Sequence, residues 1–274
     1  MRISLMAFGW FAVAAALASC GPGGGPPPPP VTTSAPPSAP PPATPATPAS
    51  PAAPVVSASS APPAHSAGPG LLRGRITFTG PNPGARNLAI GAPQAGCPAA
   101  IADESLLVGA GGGLKNAVVL VAGAPGTGAP DPAAVALFDQ KGCAFNPRVL
   151  VVAKGAKVGL RNSDTVAHNT NISAVKNSGF NGTIPAGETQ SVVFAEAERM
   201  EVVCNIHPWM KGWIVVHDGP AFAVTAADGS FTIPNLPAGT YEVRLWHEAA
   251  KSAKQSVTIP PGGEAVLESA LSPK

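Results

Sequence analysis

Charge is scarce in this chain of 274 residues: 12% are Asp, Glu, Lys or Arg, and the formal net charge is +2. A near-neutral chain with no basic run lacks the electrostatic footprint that binds phosphate backbones, so nucleic acid is not an expected partner. Aromatic residues are also sparse, at 5% with a single tyrosine. No stretch sustains a helical apolar period. There is no GxGxxG before a helix, no P-loop and no nucleophile elbow, which removes the common dinucleotide, nucleotide and serine-hydrolase classes. The N-terminal apolar run, Leu5 to Ala18, is too short to span a bilayer.

That run is preceded by one charge, Arg2, and ends in Leu17-Ala18-Ser19-Cys20 followed by Gly21. It reads as a targeting segment over residues 1–20. The tetrapeptide resembles a bacterial lipobox, in which cleavage leaves Cys20 as the acylated first residue. The implied product is an exported lipoprotein in an oxidising compartment, tethered to the periplasmic face of the outer membrane or to the cell surface by a lipid anchor. Gly21 gives no inner-membrane retention signal of the Asp type. Residues 21–70 contain no Lys, Arg, Asp or Glu and are dominated by Pro, Ala, Ser, Thr and Gly. Such a segment cannot bury enough apolar surface to offset its chain entropy. It is expected to be a disordered, extended linker, rising about 3.1 Å per residue where it is polyproline II.

The remainder carries short Ala and Val runs broken by Gly, Pro and Asn, a pattern that predicts an all-β fold. Strands are expected over 74–80, 116–122, 135–140, 148–153, 157–161, 190–194, 199–204 and 212–217. Their number and spacing suit one Greek-key sandwich over residues 116–218. Residues 87–103 lack a pattern and read as loop around Cys97.

The chemistry concentrates in Cys204-Asn205-Ile206-His207-Pro208-Trp209-Met210. A thiolate, an imidazole and a thioether at this spacing supply three of the donors of a His, His, Cys site with a long axial Met. A second imidazole is needed, and His65, His168, His217 and His247 are the choices. His65 lies in the linker. His217 ends the strand leaving Met210, about 20 Å away at 3.3 Å per residue, and is expected at the surface. His247 belongs to a later module. His168 follows a polar turn at a strand end and is the candidate. Met200 is about 13 Å along its strand from Cys204 and is assigned to the core. The alternatives at this point are a hairpin whose Cys204 pairs with Cys97 or Cys143, and a zinc site, although zinc rarely takes a thioether. With Cys20 and Cys204 assigned, Cys97 and Cys143 remain as a possible disulfide.

The Cys-x2-His-x2-Met spacing, followed by Lys-Gly-Trp-Ile-Val-Val, resembles the ligand loop of the cupredoxins, the amicyanin and plastocyanin-like blue copper proteins, and matches amicyanin most closely. His168-Asn169 is similar to the pair that carries the first ligand in that family. The resemblance implies one copper ion, cycling between Cu(I) and Cu(II), held by His168, Cys204, His207 and Met210. It also implies that Asn169 ties down the cysteine loop, that Pro208 matches the proline after the second histidine, and that His207 reaches the surface as an electron port. Ile206 and Trp209 stand where amicyanin has proline and phenylalanine. The expected function is electron transfer with redox partner proteins rather than catalysis. The alternatives are a copper scavenger or metallochaperone, and a structural surface protein that has kept the fold.

Residues 219–274 resemble the carboxypeptidase regulatory-like, transthyretin-like β-sandwich, through Thr225-Ala-Ala-Asp-Gly-Ser-Phe-Thr-Ile and Leu236-Pro-Ala-Gly-Thr-Tyr-Glu-Val. That sandwich opens with a strand of the type seen at Gly74 to Thr79. Residues 71–115 are therefore expected to give its first strand and a connecting loop, with the copper domain inserted between. Trp246, His247 and Glu248 are assigned to packing and surface.

Overall fold

Alternation of apolar and polar residues builds the strands, and the faces they bury sort them into two sandwiches. A computed structural model describes residues 68–90, 94–125 and 134–274. The lipobox at Cys20, His65 and nearly all of the Pro-rich linker lie outside these residues. The strands are β1 (Gly70–Phe78), β2 (Val118–Ala122), β3 (Val135–Gln140), β4 (Phe145–Asn146), β5 (Val149–Ala153), β6 (Lys157–Asn162), β7 (His168–Ser173), β8 (Phe180–Ile184), β9 (Thr189–Val193), β10 (Glu198–Val203), β11 (Lys211–His217), β12 (Phe222–Val224), β13 (Ser230–Leu236), β14 (Gly239–His247), β15 (Ala250–Ile259) and β16 (Glu264–Leu271). Among the described residues a single 3-10 turn, Ala110–Gly112, is the only helical element. No helix among them is long and apolar enough to cross a membrane.

One sandwich packs the sheet β5-β11-β10-β7-β8 on the sheet β4-β3-β6-β9. Its core joins Phe138, Leu160, Ile172, Ile184, Met200, Val202 and Ile214, and includes Cys204 and Met210. The other packs β13-β1-β16 on β12-β2-β14-β15, with a core of Leu72, Ile76, Val119, Val121, Ile233, Val243, Leu245 and Leu267. As expected, β1 joins the C-terminal sheet, between β13 and β16, and the strands from β3 to β11 are inserted.

Two expectations are corrected. The domain boundary at residue 116 is too early, because β2 pairs with β12 and β14 and belongs to the C-terminal sandwich. Its Val-rich run is apolar enough for either core, and only pairing decides between them. His217 is not a surface residue: it is 4% exposed, and its Nε2 lies 3.0 Å from the carbonyl oxygen of Val121. Strand β11 is buried on both faces. Ile214 and Val216 face the inserted core, while Val215 joins Val149, Val151, Val118 and Trp246 in a second cluster between the sandwiches. Trp213 stacks edge-on against Trp246 with centroids 5.0 Å apart, and Arg148 makes a two-pronged buried ion pair with Glu248 at 2.7 and 2.9 Å. Trp246 and His247 are buried, so this stretch is packing throughout and contributes little surface.

Candidate metal centre

The loop from Cys204 to Met210 connects β10 and β11, which pair antiparallel up to Val203 and Lys211. Its neck is closed by Cys204 N–H donating to Met210 O at 3.2 Å, and Met210 N–H donates to His207 O at 2.9 Å. A short hairpin therefore brings the thiol and the imidazole to one pole of the sandwich, with Met210 buried at its end. His168 reaches the same pole as the first residue of β7, whose Asn171 and Ile172 pair with Val203 and Val202.

One donor atom from each of His168, Cys204 and His207 lies within 4.8 Å of the others. The Nδ1 atoms of the two imidazoles face each other at 2.8 Å, and Cys204 Sγ lies 3.9 Å from His207 Nδ1. His168 is 0% exposed, Cys204 2% and Met210 1%. The Cys204 sulfur accepts backbone N–H bonds from Asn169 at 3.3 Å and His207 at 3.4 Å. It is a free thiol, while Cys97 and Cys143 form a disulfide. The reading in which Cys204 is a half-cystine is therefore overturned.

Electrostatics favour the ligating forms of Cys204 and His207. Burial alone would push the Cys204 thiol up, but the neighbouring His168 and the backbone N–H groups of His207, Asn169 and Ile206 outweigh it and hold the thiol below its ordinary range. Burial, with His168 close by, lowers His207 and keeps it neutral. For His168, burial would act in the same direction, but Cys204 and Asp164 prevail and raise it. A buried thiol, two imidazoles and an adjacent buried Met, with no carboxylate among the donors, is a soft N/S set that fits copper.

The surrounding shell contains groups not anticipated from the sequence. Asp164 Oδ2 lies 2.8 Å from His168 Nε2, which leaves Nδ1 turned toward the cluster. The same carboxylate accepts the N–H groups of Gly142 and Cys143 at 2.6 and 2.8 Å. Asn162, fully buried, shapes the turn that carries it, bonding the carbonyls of Val166 and Ile184 at 2.8 Å each. An Asn and an Asp two residues apart were legible only as a polar turn. Asn169 Oδ1 accepts from Asn205 N–H at 3.2 Å, so it does brace the cysteine loop. Pro208 lies in that loop between His207 and Trp209.

His207 departs from expectation. It is 4% exposed, and Cys97 Sγ lies 3.9 Å from its Nε2. Trp209 packs near the imidazole, its ring centroid 5.1 Å away, and donates its Nε1–H to Cys143 O at 3.1 Å.

Comparison with known proteins covers residues 134–272 of the chain. Residues 134–217 match the model of the copper binding proteins, plastocyanin/azurin family, and residues 214–272 match the carboxypeptidase regulatory-like domain. Among solved structures the chain is similar to a copper-containing nitrite reductase from Thermus scotoductus, at 27% identity and TM-score 0.30 over 34% of this chain. It spans only 24% of that reductase. A purple cupredoxin from Nitrosopumilus maritimus is 25% identical, with TM-score 0.27, over 30% of this chain and 98% of its own. A Cu(I) amicyanin variant is 20% identical, with TM-score 0.29, over 36% and 98%. No curated protein sequence matches the chain.

Proposed function

From a chain that joins a plastocyanin/azurin-type copper-binding domain to a carboxypeptidase regulatory-like domain, we propose a lipid-anchored electron carrier with one mononuclear blue copper site. The observation that carries this reading is the buried convergence of His168, Cys204 and His207 with two backbone N–H groups on the sulfur. His168 Nδ1, His207 Nδ1 and Cys204 Sγ would hold the ion, with Met210 as the weak fourth ligand. When bound, the ion supplies a one-electron Cu(I)/Cu(II) couple.

The remaining chemistry belongs to the chain. Asp164 and the Asn169–Asn205 bond keep the donors in place whichever oxidation state is present, which limits rearrangement between states. Burial excludes water and raises the weight of each fixed dipole. No substrate site adjoins the donors in this reading, and the protein is a carrier rather than an enzyme. Enclosure of His207 favours retention of the ion over its delivery to a partner, so the carrier reading is preferred to the metallochaperone.

Redox partners would approach across the exposed, uncharged stretch of Gln94, Ala95, Gly96, Pro98, Ala99 and Ala100, and Ile206 of the ligand loop is exposed as well. A small face of this kind suits brief encounters. The lipobox ending at Cys20 supports export and anchoring, and the Cys97–Cys143 disulfide is consistent with an oxidising compartment. The test is a reductive and oxidative titration of the copper-loaded protein. A carrier takes up and returns one electron per chain and keeps its copper in the presence of a moderate chelator. Loss of the metal to the chelator without redox turnover would replace this reading with metal delivery.

A further inference from the structure

The disulfide reaches one imidazole of the site directly and the other through Asp164. On one side Cys97 Sγ sits 3.9 Å from His207 Nε2, covering the edge that would otherwise meet solvent. On the other, Cys143 N–H donates to Asp164 at 2.8 Å, and that carboxylate holds His168 Nε2. Cys97 comes from a segment outside the inserted sandwich. The base of that segment is pinned by Leu88 N–H to Ile101 O at 2.8 Å, Asp103 N–H to Arg86 O at 2.9 Å and the Arg86–Asp103 ion pair. Around Cys97 itself, residues 94–96 and 98–100 are exposed. Besides the covalent link, Gly96 lies against Val166, the Cys143 sulfur lies against Gly96 O, and Cys97 packs at the edge of the inserted core. Leu88, Ile90 and Ile101 pack the base of the segment against the inserted core, so the disulfide is the tie that holds its tip beside His207.

We propose that the Cys97–Cys143 disulfide is a redox-operated lock on the metal site, and that its reduction by a dithiol uncovers the His207 edge for metal loading and release. What passes through the opening rests on the copper reading, whereas the opening itself does not. A thiolate of the dithiol attacks Cys97 Sγ, the partly exposed sulfur. The disulfide bond breaks and the buried Cys143 sulfur leaves as thiolate, taking up a proton. The donor's second thiol then displaces Cys97 from the mixed disulfide. The donor ends as a disulfide, and the chain has gained two electrons and two protons. Without the bond, the segment bearing Cys97 regains chain entropy and can lift away.

The experiment compares the oxidised chain, the same chain reduced with dithiothreitol, and the Cys97→Ser/Cys143→Ser double variant, with far-ultraviolet circular dichroism as a check on folding. In metal-free protein, modification of each histidine by diethylpyrocarbonate is followed by mass spectrometry. Reduction and the double variant should each raise the rate at His207 by about tenfold or more, leaving His217 and His247 unreactive, as expected for a local opening. An unchanged rate at His207 would overturn the proposal. So would a rise shared by His217 and His247, which would report general unfolding. In a second arm, copper-loaded oxidised protein and the double variant are challenged with bicinchoninate, and the double variant should lose copper faster by a similar factor. If His207 opens but neither form binds copper, the lock stands and the electron-carrier reading falls.

Discussion

His168 is held at both ring nitrogens, by Asp164 at Nε2 and by the facing His207 at Nδ1. Asp164 therefore fixes which nitrogen faces the site. Asp164→Asn keeps the size of the side chain and removes its charge, and is expected to weaken copper affinity by about 10- to 100-fold. Competition with a chelator measures that change, and an altered EPR spectrum separates it from simple destabilisation. Equal affinity and an unchanged spectrum would show that Asp164 serves only the turn. Cys204, His207 and Met210 were legible because one short loop spaces them. His168 was legible only because that loop lacked an imidazole. Asp164 and Asn162 were not, since a carboxylate and an amide in a polar turn look alike whether they serve a turn or a ligand. The enclosure of His207 was equally hidden, because Cys97, which lies against it, is more than a hundred positions upstream.

The apolar strands were readable from alternation, as in β10, where Met200 and Val202 turn inward and Arg199 and Glu201 outward. Strands β7 and β8 were not, because most of His168-Asn169-Thr170-Asn171 and Phe180-Asn181-Gly182-Thr183 is polar, and Ile172, Phe180 and Ile184 are too few to show an alternation. β2 was recognised as a strand but placed in the wrong sandwich. The prediction that β1 joins the C-terminal sheet can be tested at Gly74, which pairs with Leu267 on the parallel strand β16. A Cβ at Gly74 would lie 1.9 Å from the Leu267 carbonyl oxygen, so the two backbones must part. Gly74→Ala is expected to cost about 1–3 kcal/mol, read as a lower denaturation midpoint, while the spectrum of the copper-loaded site stays unchanged. A neutral effect on stability would mean that β1 does not pair so closely.

Across the molecule, the second sandwich braces the first through β11, whose Val215 and His217 point away from the inserted core while its other end leads into the ligand loop. Buried histidines at and beyond this joint make stability depend on pH. Burial holds the His247 imidazole at about 4, against an ordinary 6.5, and lowers His217 as well. As the pH falls, the unfolded chain takes up the proton first. The stability from neutral His247 is full above pH 6.5 and declines toward pH 4, by about 3 kcal/mol in all. Denaturation midpoints at several pH values should show this decline, and His247→Gln should flatten it. An unchanged slope in the variant would assign the effect elsewhere. The account as a whole depends on the sulfur of Cys204 binding copper between His168 and His207, and the most direct test is the visible and EPR spectrum of the Cu(II)-loaded protein beside Cys204→Ser. An intense thiolate-to-copper band, lost in the variant, is the predicted result. A weak spectrum that is the same in both proteins would contradict it.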